Sequence, residues 1–194
     1  MVVIDRKANI IKAAEMSFAS FGYKATTMDS VARIANVGKG TIYTFFKNKE
    51  ELFSEIMNQF IRNLKTMATA AIDDNGSFFS NLHGALYHVL EFRKEHQLTI
   101  KLTQEIKEVG TLQAQDALAN VEDAILSFLE VFIREAIERG EIKNCDPKVT
   151  AFVILKLYIA LVFDWELRHQ PLSSEEIANL FEMYLVNGLK KNSN

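Results

Sequence analysis

The sequence predicts an all-α protein of about nine helices, and three observations carry that expectation. Apolar residues recur at helical spacing along most of the chain. Neither an alternating strand pattern nor an internal repeat interrupts them. The only two prolines, Pro147 and Pro171, stand near expected helix starts, where a missing N–H costs nothing. At 194 residues and 48% hydrophobic content the chain can bury a sizeable core in one or two small domains.

The first helix is expected to place Ile10, Ala14, Phe18 and Phe21 on one face and to end at Gly22. Thr27 is a good cap for the second, because its hydroxyl can accept from the free amides of the first turn; Asp29 complements the positive helix end. Val31, Ile34 and Ala35 form the apolar face of this short helix, and Arg33 faces outward. Asn36 tolerates the left-handed conformation that reverses a chain, so the turn falls at 36–38. In the third helix Ile42 and Phe46 share one face, with Lys39, Gly40, Tyr43 and Thr44 mostly on the other.

That third helix is intrinsically weak, since it combines glycines with Thr41, Ile42 and Thr44, and packing must hold it. Glycine at an exposed helical position costs about 1 kcal/mol relative to alanine, so Gly40 suggests that another surface approaches too closely for a Cβ. A DNA major groove is such a surface. Two short helices joined by a tight turn, the second small, polar and basic, describe a helix-turn-helix. Asn48 and Glu51 fit a capping box that opens a long fourth helix over about 49–72, with Leu52, Ile56, Phe60 and Leu64 four residues apart. Residues 73–77 read as a turn. Further helices are expected over about 77–95, 97–108, 112–139, 146–169 and 174–191, with Gly140 ending the third of these five.

The run from Thr26 to Leu52, and the amphipathic helix before it, resembles the DNA-binding region of the TetR family of transcriptional regulators. This resemblance implies backbone contacts to DNA from Thr27, Tyr43 and Lys49, with Gly40 and Thr41 on the helix that enters the groove. Lys39 can donate to guanine edges and Thr44 can touch a thymine methyl or a base acceptor. The chain departs from the family pattern in carrying Asn36 for glycine and Gly38 for a serine-like cap. Phe45 stands where tyrosine or histidine often binds a phosphate, which phenylalanine cannot do. The division implied is a helix-turn-helix domain at 1–48 and an effector-binding and dimerisation domain at 49–194.

Charge agrees with that division. The overall net charge of -3 conceals a basic end: residues 1–50 hold eight Lys/Arg against four Asp/Glu, and the remainder is acidic. One cysteine, Cys145, allows no internal disulfide. The N-terminus lacks a signal-peptide run, and Lys156 and Asp164 interrupt the most apolar segment, 149–167, so a soluble cytoplasmic protein without membrane contact is expected.

The 149–165 segment is apolar nearly all round and the last helix has a wide apolar face with Ile177, Leu180, Phe181, Tyr184, Leu185 and Leu189. The resemblance implies that these two helices form a four-helix interface with a second subunit, using Phe152, Ile159, Phe163, Phe181, Tyr184 and Leu185. Two ordinary core helices in a monomer are the alternative. The resemblance also implies a cavity among helices four to eight. Its apolar richness suits an apolar or amphipathic effector, and Phe79, Tyr87, Leu102, Phe128, Tyr158 and Trp165 are candidate lining residues, each explained equally by core packing. Residues 102–106 resemble regulators of fatty-acid metabolism over a stretch too short to name a ligand.

Catalysis is not expected. His83, His88, His96 and His169 have no metal-ligand spacing, there is no phosphate-cradling glycine loop, and no cofactor is implied. Glu105 and Glu108 read as a solvated face beside Lys101 and Lys107. The expectation is therefore a homodimeric, ligand-responsive repressor of transcription on a palindromic operator. An activator, or a helical ligand-binding protein with a vestigial DNA-binding end, remains the alternative.

Overall fold

The computed structural model describes residues 5–186, without the side chains of 93, 95 and 186. Nine α-helices are present among the described residues: α1 (Arg6–Ala25), α2 (Met28–Ile34), α3 (Lys39–Phe45), α4 (Lys49–Ala70), α5 (Phe78–Glu95), α6 (Gln97–Val109), α7 (Leu112–Glu138), α8 (Pro147–Ile159) and α9 (Ser174–Phe181). None is long and apolar enough to cross a membrane.

Contacts divide the chain into two units that differ from a simple cut after residue 48. The first gathers the chain up to Asn63 with Glu95–Val121, and the second gathers Leu64–Lys94 with the chain from Glu122 onward. The first therefore holds α1, α2, α3, most of α4, α6 and the start of α7.

In the first unit α1 begins at the Asp5 cap, whose carboxylate accepts from the Ala8 amide. Ile10, Ala14 and Phe18 are fully buried, as their spacing predicts. Phe21 is not: it is 58% exposed. The reason is the break at Gly22, where φ is 79° and ψ 179°, a backbone region essentially closed to other residues. That break turns Tyr23 inward in place of Phe21, and the Tyr23 ring lies 4.9 Å from Phe53, which is itself 4.9 Å from Phe18. Helix α6 packs along α1. On it Leu98 and Leu102 are fully buried.

Helix α2 opens on a reciprocal cap: Thr27 Oγ1 accepts from the Ser30 amide at 3.1 Å, and Ser30 Oγ accepts from the Thr27 amide at 3.0 Å. Val31 is buried, but Ile34, at the helix end, is 41% exposed. Asn36 adopts φ 53°, the left-handed turn expected of it. At the start of α4 the Asn48 carboxamide caps the Glu51 amide, whereas the Glu51 carboxylate reaches back to the Lys47 amide, one residue earlier than a capping box requires. Leu52, Ile56, Phe60 and Leu64 are all buried.

In the second unit Asp146 caps α8 through the Lys148 and Val149 amides, and Pro147 opens the helix. Gly140 ends the α7 stretch with φ 72°. The expected single helix over 146–169 is instead α-helical to Ile159, π-helical over Ala160–Asp164, and tightened over Trp165–Leu167. A π turn takes in one residue more than an α turn and shifts the helical phase of the residues after it. Helix α9 carries a full capping box between Ser173 and Glu176 and also passes into a π turn, Glu182–Val186. Leu189 and the rest of the expected 174–191 helix lie outside the described residues.

Candidate nucleic-acid interface

Helix α3 is anchored by Ile42, fully buried, and by Phe46 just beyond its end. Packing of these two side chains sets the helix on α2 and turns Lys39, Gly40, Tyr43 and Thr44 to solvent, while Thr41 is half-buried. The helix lacks a side-chain cap at Gly38. A Cβ built on Gly40 would meet no atom within 4 Å, so nothing among the described residues explains a glycine there.

Around this helix the polar groups are tied back to the protein. Lys39 Nζ sits 2.9 Å from both carboxylate oxygens of Asp29, an exposed pair that raises the lysine pKa through hydrogen bonding to the aspartate. Thr44 Oγ1 donates to the Thr41 carbonyl at 2.7 Å. Lys49 Nζ donates to the Tyr23 carbonyl at 3.0 Å and lies 4.2 Å from the centre of the Tyr23 ring. Tyr23 donates its hydroxyl to Glu50 at 2.7 Å, which holds the Glu50 carboxyl below its usual pKa, and burial together with Glu50 pushes the Tyr23 phenol up. Among the described residues Lys49 Nζ makes this one hydrogen bond, of the three that an ammonium can donate. The exposed Thr27 caps α2, the exposed Lys39, Tyr43 and Thr44 lie on α3, and the half-buried Lys49 opens α4.

Among the described residues the predicted pocket residues are divided between the two units. In the second unit a cavity of about 440 Å³ at α5 and α9 is lined by Ser77, Phe79, Ser80, His83, Ala178, Phe181 and Glu182, and another of about 610 Å³ lies between α7 and α8. Phe79 is the one predicted lining residue on the first. Tyr158 is fully buried, its hydroxyl 2.5 Å from His83 Nδ1, and burial pushes its phenol up. His83 Nε2 is 3.1 Å from Ser174 Oγ. Tyr87 lies beside His83, Phe128 stacks on Phe132, and Trp165 is 41% exposed and stacked on His169. Leu102 is in the core of the first unit.

Helix α8 divides as its all-round apolarity predicts. Ala151, Ile154, Leu155 and Tyr158 face the core, whereas Val149, Phe152 and Val153 are about half exposed. Met183 and Tyr184, after α9, are exposed as well, and Ile159, Phe163 and Leu185 are half-buried. Phe181, expected on this outer face, is a correction: it is 2% exposed, with its ring 4.8 Å from Tyr158, because its phase on α9 is that of the buried Ile177.

Residues 10–56, from the first buried turn of α1 into α4, match the family model described as bacterial regulatory proteins, tetR family. An uncharacterized HTH-type transcriptional regulator of Bacillus subtilis strain 168, YhgD, is 56% identical over 97% of this chain and 99% of its own. The chain belongs to the TetR family. The fatty acid metabolism regulator protein of the same organism is 29% identical over 93% of each chain. The structure of AibR in complex with isovaleryl coenzyme A and operator DNA has the same fold, with a TM-score of 0.59 at 24% identity over 92% of this chain and 97% of that one.

As a TetR-type transcriptional regulator the protein keeps the family turn with Asn36, whose left-handed φ replaces glycine at little cost. Gly38 leaves α3 without the side-chain cap that a serine would supply, and Phe45, 37% exposed, brings no hydroxyl to the surface. Sequence reasoning missed Asp29 as the partner of Lys39, and Glu50 as the partner of Tyr23. It also placed Glu105 in water, whereas the side chain is buried and accepts the Lys24 amide at 3.1 Å. The signal available was Gly22, a glycine within the stretch that forms α1.

Proposed function

We propose that this regulator is a repressor that holds a two-fold-symmetric operator as a homodimer and is released by an apolar or amphipathic small molecule. DNA reading is assigned to residues 1–48, effector binding and dimerisation to 49–194, and action on DNA places the protein in the cytoplasm. The observation that carries this reading is α3 itself: anchored from below by Ile42 and Phe46, it offers Lys39, Tyr43 and Thr44 outward with open space over Gly40. Such a helix fits a major groove closely, with Lys39 and Thr44 at base edges and Thr27, Tyr43 and Lys49 at the backbone.

Dimerisation is supported by the outward row Val149, Phe152 and Val153 with Met183 and Tyr184, large apolar side chains left to solvent in one chain. Two recognition helices then meet half-sites about one helical turn apart, and occupancy of such a site blocks other proteins from it. Effector and operator oppose each other by a single coupling factor if the effector favours a dimer of different spacing. The relatives that handle fatty-acid metabolism and isovaleryl coenzyme A make an acyl-bearing amphiphile the first effector class to test.

The test is selection of bound sites from random duplex DNA, followed by affinity measurements on the recovered site with and without a panel of acyl-coenzyme A thioesters and free fatty acids. A palindromic motif bound by two chains, and weakened by one member of the panel, is the expected result. No enriched motif would remove DNA reading. A motif whose transcription rises when the protein is present in a reconstituted assay would make the protein an activator.

A further inference from the structure

We propose that Glu105 is a positioning residue that ties α6 to the DNA-contacting start of α4 through the peptide segment 22–24. The proposal rests on the reading of α3 and Lys49 as the DNA-contacting surface. All of its parts lie within the first unit.

The environment of Glu105 is unlike that of a surface carboxylate. It is 6% exposed, in the middle of α6, where its neighbours Gln104 and Glu108 face solvent. A carboxylate withdrawn from water is costly unless it is hydrogen-bonded. Here Oε1 accepts the backbone N–H of Lys24 at 3.1 Å. The other oxygen, Oε2, occupies the space in which a side chain at position 22 would begin: an ideal Cβ on Gly22 would stand 2.1 Å from it. Gly22 is thus required twice, once by its φ of 79° and once by the oxygen against it. A broken helix turn and a buried acid from another helix have been fitted to each other.

The same three residues carry the connection onward. The Tyr23 carbonyl receives Lys49 Nζ and the Tyr23 hydroxyl donates to Glu50, so the first turn of α4 is fixed by the segment that Glu105 holds. Helix α4 starts four residues after the end of the recognition helix. A shift of α6 that withdraws Glu105 leaves the Lys24 amide without its acceptor and frees the Tyr23 carbonyl to move with Lys49. Hydrogen bonds to an ionised group are the stronger kind, and loss of one partner from a buried pair costs more than the bond itself contributes. The position of α6 and the presentation of Lys49 are therefore linked, and the linkage must act in both directions.

The reciprocal direction can be measured without knowing the effector. Amide hydrogen exchange of the full chain is followed with and without a duplex carrying its selected site. DNA is expected to slow exchange across 97–109 as well as across α2 and α3. Glu105→Gln keeps an acceptor oxygen and should keep that response, whereas Glu105→Met, similar in size with no acceptor oxygen, should lose it and bind the duplex about fivefold or more weakly. Circular dichroism and thermal melting establish that the variants fold. Wild-type protein whose α2 and α3 are protected by DNA while 97–109 are unaffected would overturn the coupling and leave DNA reading intact. That result needs no variant. Protein that protects neither region instead removes the DNA reading on which the proposal stands. A folded Glu105→Met protein with an unchanged α6 response would also overturn it.

Discussion

Lys39, the first residue of the recognition helix, and Asp29, in the first turn of the preceding helix, form a two-point contact, 2.9 Å from the ammonium nitrogen to each carboxylate oxygen. Both side chains are more than half exposed, so the pair adds little to stability. Its effect is on the direction of the lysine. A four-carbon stem otherwise sweeps a wide cone, and the aspartate restricts it while adding a negative charge that repels phosphate. Lys39→Ala should relax the preferred motif at the position that Lys39 reads. Asp29→Asn should raise affinity for unrelated DNA and narrow the ratio between selected and random sites. Selection from random duplexes, repeated for each variant, checks both. An unchanged motif at reduced affinity for Lys39→Ala would restrict that side chain to phosphate binding.

Lys49 is expected to meet the backbone with the donors that Tyr23 leaves free. Lys49→Ala should weaken binding to all sequences alike and lower the slope of log affinity against log salt by about 0.9 for each phosphate that is no longer neutralised. A titration of affinity between low and moderate salt gives the slope directly. If the slope is unchanged, Lys49 serves only to hold Tyr23.

Gly40 separates stability from function. Alanine there meets no neighbour among the described residues of the free chain, so Gly40→Ala should stabilise the protein by up to about 1 kcal/mol through helix propensity. The same methyl group should weaken DNA binding by an order of magnitude if the groove closes over that position. Urea unfolding and DNA titration of one preparation give the two numbers. A more stable protein with undiminished affinity would mean that the groove stays clear of α3 at this point.

Phe152 and Phe181 give opposite outcomes to one substitution. Phe152 is half exposed, so Phe152→Asp should leave a folded chain that sediments as a monomer and has lost operator affinity. Phe181 is packed on Tyr158, and Phe181→Asp buries an unpaired charge that should unfold the second unit. Sedimentation with circular dichroism distinguishes them; a dimeric Phe152→Asp protein would move the interface elsewhere.

Stability should fall on mild acidification. Burial, with a smaller contribution from His88, holds the His83 imidazole below its ordinary pKa, and burial acts likewise on His96. The unfolded chain takes up these protons near pH 6.5, the folded chain only at lower pH. Stability is therefore complete above about pH 6.5 and is lost as pH falls from there through the folded values. Urea midpoints at pH 8 and pH 5.5 should differ in that direction, and His83→Gln should reduce the difference.

The helix-turn-helix was legible because its information is local. Thr27, Asn36 and Ile42 each announce a cap, a turn or an anchor within a few residues, and the structure places all three in those roles. The features that escaped depended on partners distant in the chain. Glu105 looks like half of a solvated pair until α6 is laid on α1. Phe181 and Tyr184 look equivalent on a helical wheel, and only the packing of Tyr158 tells the inner one from the outer. The π turn at 160–164 leaves no compositional trace in a segment that is apolar on every side, so residues beyond it could not be phased. The lining of the cavity was unreadable for the same reason: phenylalanine and tyrosine serve a core and a pocket equally well.

The grouping of α6 and the start of α7 with the first unit has a consequence for modularity. A gene fragment ending after the recognition helix, or even after α4, would encode α1 with one side stripped of the helix that packs on it and Lys24 without its acceptor. The DNA-reading end is thus no cassette that recombination or a protein engineer can lift out at residue 48 or 63. A chimaera that borrows it must borrow 97–109 as well, and a foreign sensory region has to be spliced around a helix it did not evolve with.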